Sequence, residues 1–344
     1  SKSLNCIFGT TNVLSVTAHG KETMANLTET FDYDYNESSV LDKLYTEAQE
    51  IKILMYMYTG MYSITILLGV PLNILVIITL FCRIGNYEAA IWLLGMAISD
   101  LIFCLFLPFH IVSAWDNFTW RFGWILCKLS SFVPFMSMYL TAFILSFMSL
   151  EQLFFNRFSC ISCRFNASKN MLLMSWFAAA ILSCPSLLYR VVQHRKNGEV
   201  CMDNYEYGTT GLVTSEGLKR KSTVLYMRFI FGIILPVASA AICYCLLVLR
   251  KNSFRIKSSV NYRIRKAVVI GHCLCWLPCL CLPLWQHHST TDISAILTVV
   301  LPVSNALAAI SGCIKPIIYI TTGDSLFLPW MKDDYATTRD GQSK

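Results

Sequence analysis

Seven stretches of this chain are long and apolar enough to cross a lipid bilayer: residues 53–82, 89–114, 124–155, 171–189, 224–249, 267–285 and 293–320. A helix needs about 20 mostly apolar residues to span the hydrocarbon. Backbone in lipid must satisfy its own hydrogen bonds, so runs of this length are expected as helices. Of the 344 residues, 55% are hydrophobic and only 14% are charged, with a mean hydropathy of +0.52. A soluble domain rarely has that balance. The expected fold is an all-α membrane protein, a seven-transmembrane helix bundle.

The charges set the expected topology. Basic residues gather between spans: Arg83 after the first, Arg157, Arg164 and Lys169 after the third, and Arg250, Lys251, Arg255, Lys257, Arg263, Arg265 and Lys266 between the fifth and sixth. The N-terminal segment is acidic, with Glu29, Asp32, Asp34, Glu37, Asp42, Glu47 and Glu50. The excess of lysine and arginine on one side puts the N-terminus outside and the C-terminus inside. The basic stretch at 190–196 and 219–221 runs the other way, in a long loop expected to have its own task. The net charge of +7 is therefore assigned to headgroups and protein partners, and no nucleic acid is expected. This divides the chain into an acidic extracellular segment (1–50), the bundle (51–322) and a short cytoplasmic tail (323–344). Residues 1–30 lack the apolar run of a signal peptide, so the first span is expected to direct export. Met24 opens Met-Ala-Asn-Leu-Thr and reads as a start, with 1–23 upstream or leader sequence.

Arg228 lies within the fifth apolar stretch. Lipid gives a guanidinium no solvent, so it must face the bundle interior and meet a partner. Arg190 sits at the outer end of the fourth span. Two cations near one mouth of a bundle suggest a site for an anion, such as a peptide's C-terminal carboxylate. Most of the 15 cysteines fall inside spans, where a thiol packs as a small apolar group. Cys273 and Cys275 point about 200° apart on a helix, so Cys273, Cys275, Cys279 and Cys281 converge poorly on a metal. Cys127 and Cys201 are different: both are expected outside, in an oxidising compartment, and are expected to form a disulfide. Asn26, Asn36 and Asn117 head glycosylation sequons on the outer side. His287 and His288 read as a solvated turn. No cofactor is expected, and no nucleophile–base pair, phosphate loop or workable metal-ligand set points to an enzyme.

Local motifs, in order, resemble rhodopsin-like (class A) G-protein-coupled receptors: Gly69-Val-Pro-Leu-Asn73, Leu94-Gly-Met-Ala-Ile-Ser-Asp100, Trp176, Pro236 with Tyr244, Cys275-Trp-Leu-Pro278 and Pro316-Ile-Ile-Tyr319. Within that family the chain is similar to the chemoattractant peptide receptors of the chemerin, formyl-peptide and complement-anaphylatoxin branch. Phe103-Cys-Leu-Phe-Leu-Pro-Phe109, Trp120-Arg-Phe-Gly123, Pro185-Ser-Leu-Leu-Tyr-Arg190 and Arg228-Phe carry that similarity. The resemblance implies a plasma-membrane receptor for an extracellular peptide or small protein, active in chemotaxis. It implies that Arg190 and Arg228 hold the ligand, with Asn305 and Trp276 as further ligand-facing residues. Asp32, Tyr33, Asp34 and Tyr35 resemble the sulfated acidic tails that capture basic ligands.

The signalling machinery departs from the family. Glu151 and Gln152 stand where the resemblance implies Asp-Arg at the inner end of the third span. Gln152 supplies neither the charge nor the fork of an arginine. Lys315 stands where asparagine should precede Pro316. Asp100 helps bind sodium in this family, and the seventh-span position faces the same cavity, so the Lys315 amine is expected to replace the ion and pair with Asp100. With Tyr244, Tyr319 and Trp276 these residues make up the expected switch. The reading is an atypical receptor with weak or absent G-protein coupling, a scavenger, decoy or arrestin-biased receptor. The alternative is a conventional receptor signalling through an inhibitory heterotrimeric G protein. A transporter or channel is a remote third, since the halves of the chain do not repeat.

Overall fold

The structure, a computed structural model, describes residues 34–81, 90–116, 118–154, 161–195, 198–206, 214–249, 260–289 and 294–322. Seven long helices run in chain order: α1 (Asp34–Phe81), α2 (Ala90–Trp115), α3 (Gly123–Phe154), α4 (Ile161–Tyr189), α5, α6 (Val260–His288) and α7 (Ser294–Thr322). α5 is continuous but not uniform: Ser215–Phe229 is α-helical, Ile230–Ile234 is a π turn, and Leu235–Leu249 is α-helical again. Each of the seven carries a segment long and apolar enough to span a membrane. A hairpin of β1 (Arg190–Arg195) and β2 (Gly198–Asp203) lies between α4 and α5.

The helices α1 and α2, α2 and α3, α3 and α4, α3 and α5, α6 and α7, and α7 and α1 pack as neighbours. The buried side is continuous: Trp92, Met96, Leu140, Ile144, Val268, Trp276 and Tyr319 share one core. The opposite side is apolar as well. Leu67, Leu173 and Phe177 are about seven-tenths exposed, which suits a lipid solvent and would be an aggregation hazard in water.

Several helices begin earlier than hydropathy predicts. α5 starts at Ser215, so Lys219–Lys221 are helical and not loop. Thr214 caps the N-terminus by accepting a hydrogen bond from the Gly217 N–H, and Glu216 lies in the first turn. The favourable cap and dipole extend a polar helix beyond the apolar stretch. α6 starts at Val260, so Arg263, Arg265 and Lys266 belong to its first turns. α1 likewise reaches back to Asp34, into the acidic segment.

Every one of the seven helices contains proline. Proline cannot donate to the carbonyl four residues before it, and lipid offers that carbonyl no water. In three places a side chain on a neighbouring helix donates instead. Pro134 leaves the Ser130 carbonyl on α3, and His110 Nε2 of α2 lies 3.2 Å from it. Pro236 leaves the Gly232 carbonyl on α5, and His272 Nε2 of α6 lies 2.8 Å from it. Pro316 leaves the Gly312 carbonyl on α7, and Asn73 Nδ2 of α1 reaches it at 2.8 Å while also serving Gly69. The acceptors are carbonyls, so both histidines donate through Nε2. These bonds stitch the bundle at the points where its helices are weakest. Gly69 is required by the same junction, since a Cβ there would lie 2.6 Å from Cys104 Sγ.

Candidate functional site

The hairpin is fixed at one end of the bundle by the Cys127–Cys201 disulfide, which joins the start of α3 to β2. The register pairs Arg190 with Asp203 across the strands. Arg190 is 1% exposed, and its Nη1 donates to Asp203 Oδ1 at 3.1 Å. Its Nε lies 3.2 Å from Cys201 Sγ. The second Asp203 oxygen accepts from the Tyr205 hydroxyl at 3.2 Å. Burial and the Asp203 charge push the Tyr205 phenol up, so it remains a donor. Asp203 thus neutralises Arg190 inside the wall of the site. Nothing in the sequence marks Asp203 as this partner, because an acid in a polar loop looks like any other solvated acid.

Arg228 is a different kind of cation. It lies on the α-helical part of α5, just before the π turn, and is 5% exposed. Its only hydrogen bond among the described residues is a long one, Nη2 to Ser186 Oγ of α4 at 3.4 Å. No carboxylate among the described residues lies within ion-pair distance of it. Its guanidinium carbon instead sits 3.7 Å over the centroid of the Phe135 ring on α3. Such a contact contributes about 0.5–2 kcal/mol, the more when desolvated. An arginine has five N–H donors, so this one keeps unused capacity for an anion. Phe135 packs in turn on Trp276 of α6, with ring centroids 6.2 Å apart.

The other candidate ligand residues are less directly connected. Trp276 is buried, and its indole N–H has no hydrogen-bond partner among the described residues. Asn305 is buried on α7, with no hydrogen bond to either arginine. Asp34, Tyr35 and Asn36 fall at the start of α1, although nothing is described of their side chains. Asn26, Asp32, Tyr33 and Asn117 lie outside the described residues, as does the tail 323–344.

On the hairpin side, Glu206 is half-buried and accepts at the start of α5 from the Thr214 N–H at 3.0 Å and the Thr214 hydroxyl at 2.6 Å. These bonds hold its carboxyl below the usual glutamate range. A Cβ at Gly217 would collide with that carboxylate, so glycine is what lets Glu206 approach the helix end.

Deep in the bundle, Lys315 of α7 donates to Asp100 of α2 at 2.6 Å and to Thr141 of α3 at 2.8 Å. Ser137 of α3 donates to the same Asp100 oxygen at 3.0 Å. Lys315 and Asp100 are 1% and 0% exposed, so this pair has no access to solvent. The second Asp100 oxygen has no hydrogen-bond partner among the described residues. Further along α3, Glu151 accepts from Trp92 Nε1 of α2 at 2.9 Å and from Ser168 Oγ of α4 at 2.8 Å. Gln152 follows it in α3; its side chain is not among those described. Arg265 of α6, read from sequence only as part of a basic loop, donates to the Met148 carbonyl of α3 at 2.6 Å. Tyr319 is buried with its hydroxyl 3.5 Å from Met96 Sδ, and Tyr244 is exposed on α5. Among the described residues no group of His, Cys, Asp and Glu is arranged to hold a metal ion.

A seven-helix bundle with a cysteine-pinned hairpin and a buried arginine that has no carboxylate partner among the described residues is the architecture of a membrane receptor. Residues 72–319 match the family described as 7 transmembrane receptor (rhodopsin family), and the chain belongs to it. It is a multi-pass plasma-membrane receptor, not an enzyme. The chain is similar to chemerin-like receptor 2 of Homo sapiens, 28% identical over 307 residues, covering 87% of this chain and 85% of the relative. Chemerin-like receptor 2 of Rattus norvegicus is 31% identical over 268 residues, 76% of this chain and 74% of its own length. Chemerin-like receptor 1 of Mus musculus is 28% identical over 324 residues, 85% of each chain.

Proposed function

We propose that this receptor recognises a peptide or small protein chemoattractant by an anionic group, most simply its C-terminal carboxylate, at Arg228. The observation that carries this reading is the buried Arg228, which has no carboxylate partner among the described residues. Arg190, neutralised by Asp203, keeps the wall of that site in place. The acidic Asp32-Tyr-Asp-Tyr35 stretch captures basic parts of the same ligand outside the membrane. The relatives' names make chemerin the first ligand to try.

The signalling output is atypical in this proposal. Gln152 cannot form the charged contacts of an arginine at the inner end of α3. Lys315 cross-links α7 to α2 and α3, which hinders the rearrangement that switching needs. The receptor therefore internalises ligand and recruits arrestin with little G-protein activation. Cells expressing the receptor are to be given labelled chemerin, and uptake, arrestin recruitment and cyclic AMP scored together. Uptake with unchanged cyclic AMP is the expected result, and Gln152→Arg is expected to raise coupling. A ligand-evoked fall in cyclic AMP in the unmodified receptor, abolished by blocking the inhibitory G protein, would establish the conventional receptor instead.

A further inference from the structure

We infer that Phe135 is a positioning residue for ligand recognition: its ring takes the place of a counter-ion beneath Arg228 and aims the guanidinium at the incoming anion. This rests on the reading of Arg228 as the anion site and goes one step deeper into it.

The chemistry follows from where each group lies. A buried arginine needs compensation, and a protein ordinarily supplies a carboxylate. At the neighbouring Arg190 it does so, with Asp203 at 3.1 Å. A carboxylate would consume the same in-plane N–H donors that a ligand's carboxylate needs. At Arg228 the compensating group is the π face of Phe135, 3.7 Å from the guanidinium carbon. A ring approaches the plane from below and leaves the edge donors uncovered. The ring thus supports the guanidinium from one face and keeps a bidentate edge available for a carboxylate. Ser186 supplies only a weak lateral restraint at 3.4 Å. The two arginines of one mouth are therefore not equivalent. One is neutralised by an acid and serves the wall. The other is held by an aromatic face and remains able to accept a counter-charge.

Phe135 also packs on Trp276, so loss of its ring disturbs packing as well as the cation. The test separates these effects by using two forms of one probe. A fluorescent peptide with the C-terminal sequence of chemerin is made as the free acid and as the C-terminal amide. Both are bound to cells displaying the intact receptor at matched surface density. The free acid is expected to bind about tenfold or more tightly than the amide, as one charge-assisted bidentate contact provides. Arg228→Ala should bring the ratio close to one. Phe135→Leu should lower the ratio severalfold, and Phe135→Tyr, which keeps the ring, should preserve it. Phe135→Met fills a similar volume without a π face and reads the same quantity if the leucine variant does not reach the surface. If Phe135→Leu weakens acid and amide equally, leaving the ratio at its unmodified value while Arg228→Ala abolishes it, Phe135 is packing alone and the inference is overturned. If Arg228→Ala itself retains the full preference for the acid, the anion-site reading fails, whatever Phe135 does.

Discussion

Lys315 on α7 and Asp100 on α2 form a fully buried ion pair at 2.6 Å. Thr141 and Ser137 of α3 complete it, so one buried charge cluster joins three helices. Removing either partner leaves an uncompensated charge in a low-dielectric interior, at a cost of about 3–5 kcal/mol. Asp100→Asn and Lys315→Ala are each expected to lower the unfolding temperature in detergent clearly. The double variant Asp100→Leu with Lys315→Met removes both charges and should lose much less than the sum. The ammonium occupies the carboxylate that would otherwise attract a small cation. Ligand affinity in the unmodified receptor is expected to be the same in sodium and in an impermeant organic cation at equal ionic strength. Lys315→Asn should create a sodium dependence. Strong sodium dependence in the unmodified receptor would count against the pairing.

The Arg190–Asp203 bond supports a second expectation. Asp203 is fully used, by Arg190 on one oxygen and Tyr205 on the other. Asp203→Ala strands a buried guanidinium and should destabilise the receptor by about 3–5 kcal/mol. Arg190→Leu combined with Asp203→Leu should be markedly milder. If Arg190→Leu alone has no effect on unfolding, the bond is not holding the hairpin wall.

The bundle was legible in the sequence because lipid imposes one simple rule, an apolar run of fixed minimum length, and seven runs meet it. Arg228 stood out for a related reason: a cation in such a run has few ways to exist. Asp100 and Lys315 were visible as two opposite charges in spans, and the structure brings them together. Their hydroxyl companions were not visible. Serine and threonine in a helix ordinarily bond their own backbone, as Thr141 does to the Ser137 carbonyl at 2.9 Å. Nothing in their local sequence says that they also face a charge. Phe135 was hidden by number, as one of 21 phenylalanines, most of them suited to packing. The hairpin was hidden by composition, since short strands rich in Arg, Gln, His and Glu read as loop. Its two cysteines were legible because their expected compartment singled them out, and the disulfide between them is present.

Glu206 gives a pH-dependent expectation at the start of α5. Its carboxyl is held below the usual range by the Thr214 hydroxyl and N–H. A depressed carboxylate contributes stability that is fully present above its unfolded pKa and is lost as pH falls through the native value. Amide exchange in the first turn of α5 should therefore quicken as the solution is acidified below the ordinary glutamate range. Glu206→Gln should exchange faster at neutral pH and change little on acidification. Equal acid sensitivity in both proteins would remove Glu206 from the capping role.

The contact between His110 and the Ser130 carbonyl allows the proline argument to be tested by rescue. His110 is buried on α2, and its Nε2 lies 3.2 Å from a carbonyl that Pro134 cannot serve. Replacing His110 with leucine keeps an apolar volume but leaves that carbonyl without its donor. A buried acceptor left unpaired costs about 1–3 kcal/mol. Pro134→Ala returns an N–H to the helix position that ordinarily serves Ser130. If His110 acts as the substitute donor, Pro134→Ala should recover much of the stability lost in His110→Leu. The same substitution made in the unmodified receptor should give a smaller gain, because the carbonyl already has a partner. Unfolding temperatures of the four proteins in one detergent measure the coupling directly. Purely additive effects would mean that the histidine fills space near Pro134 without compensating for it. Positive coupling would extend by the same logic to His272 with Pro236 and Asn73 with Pro316, where the spacing between proline and freed carbonyl is identical.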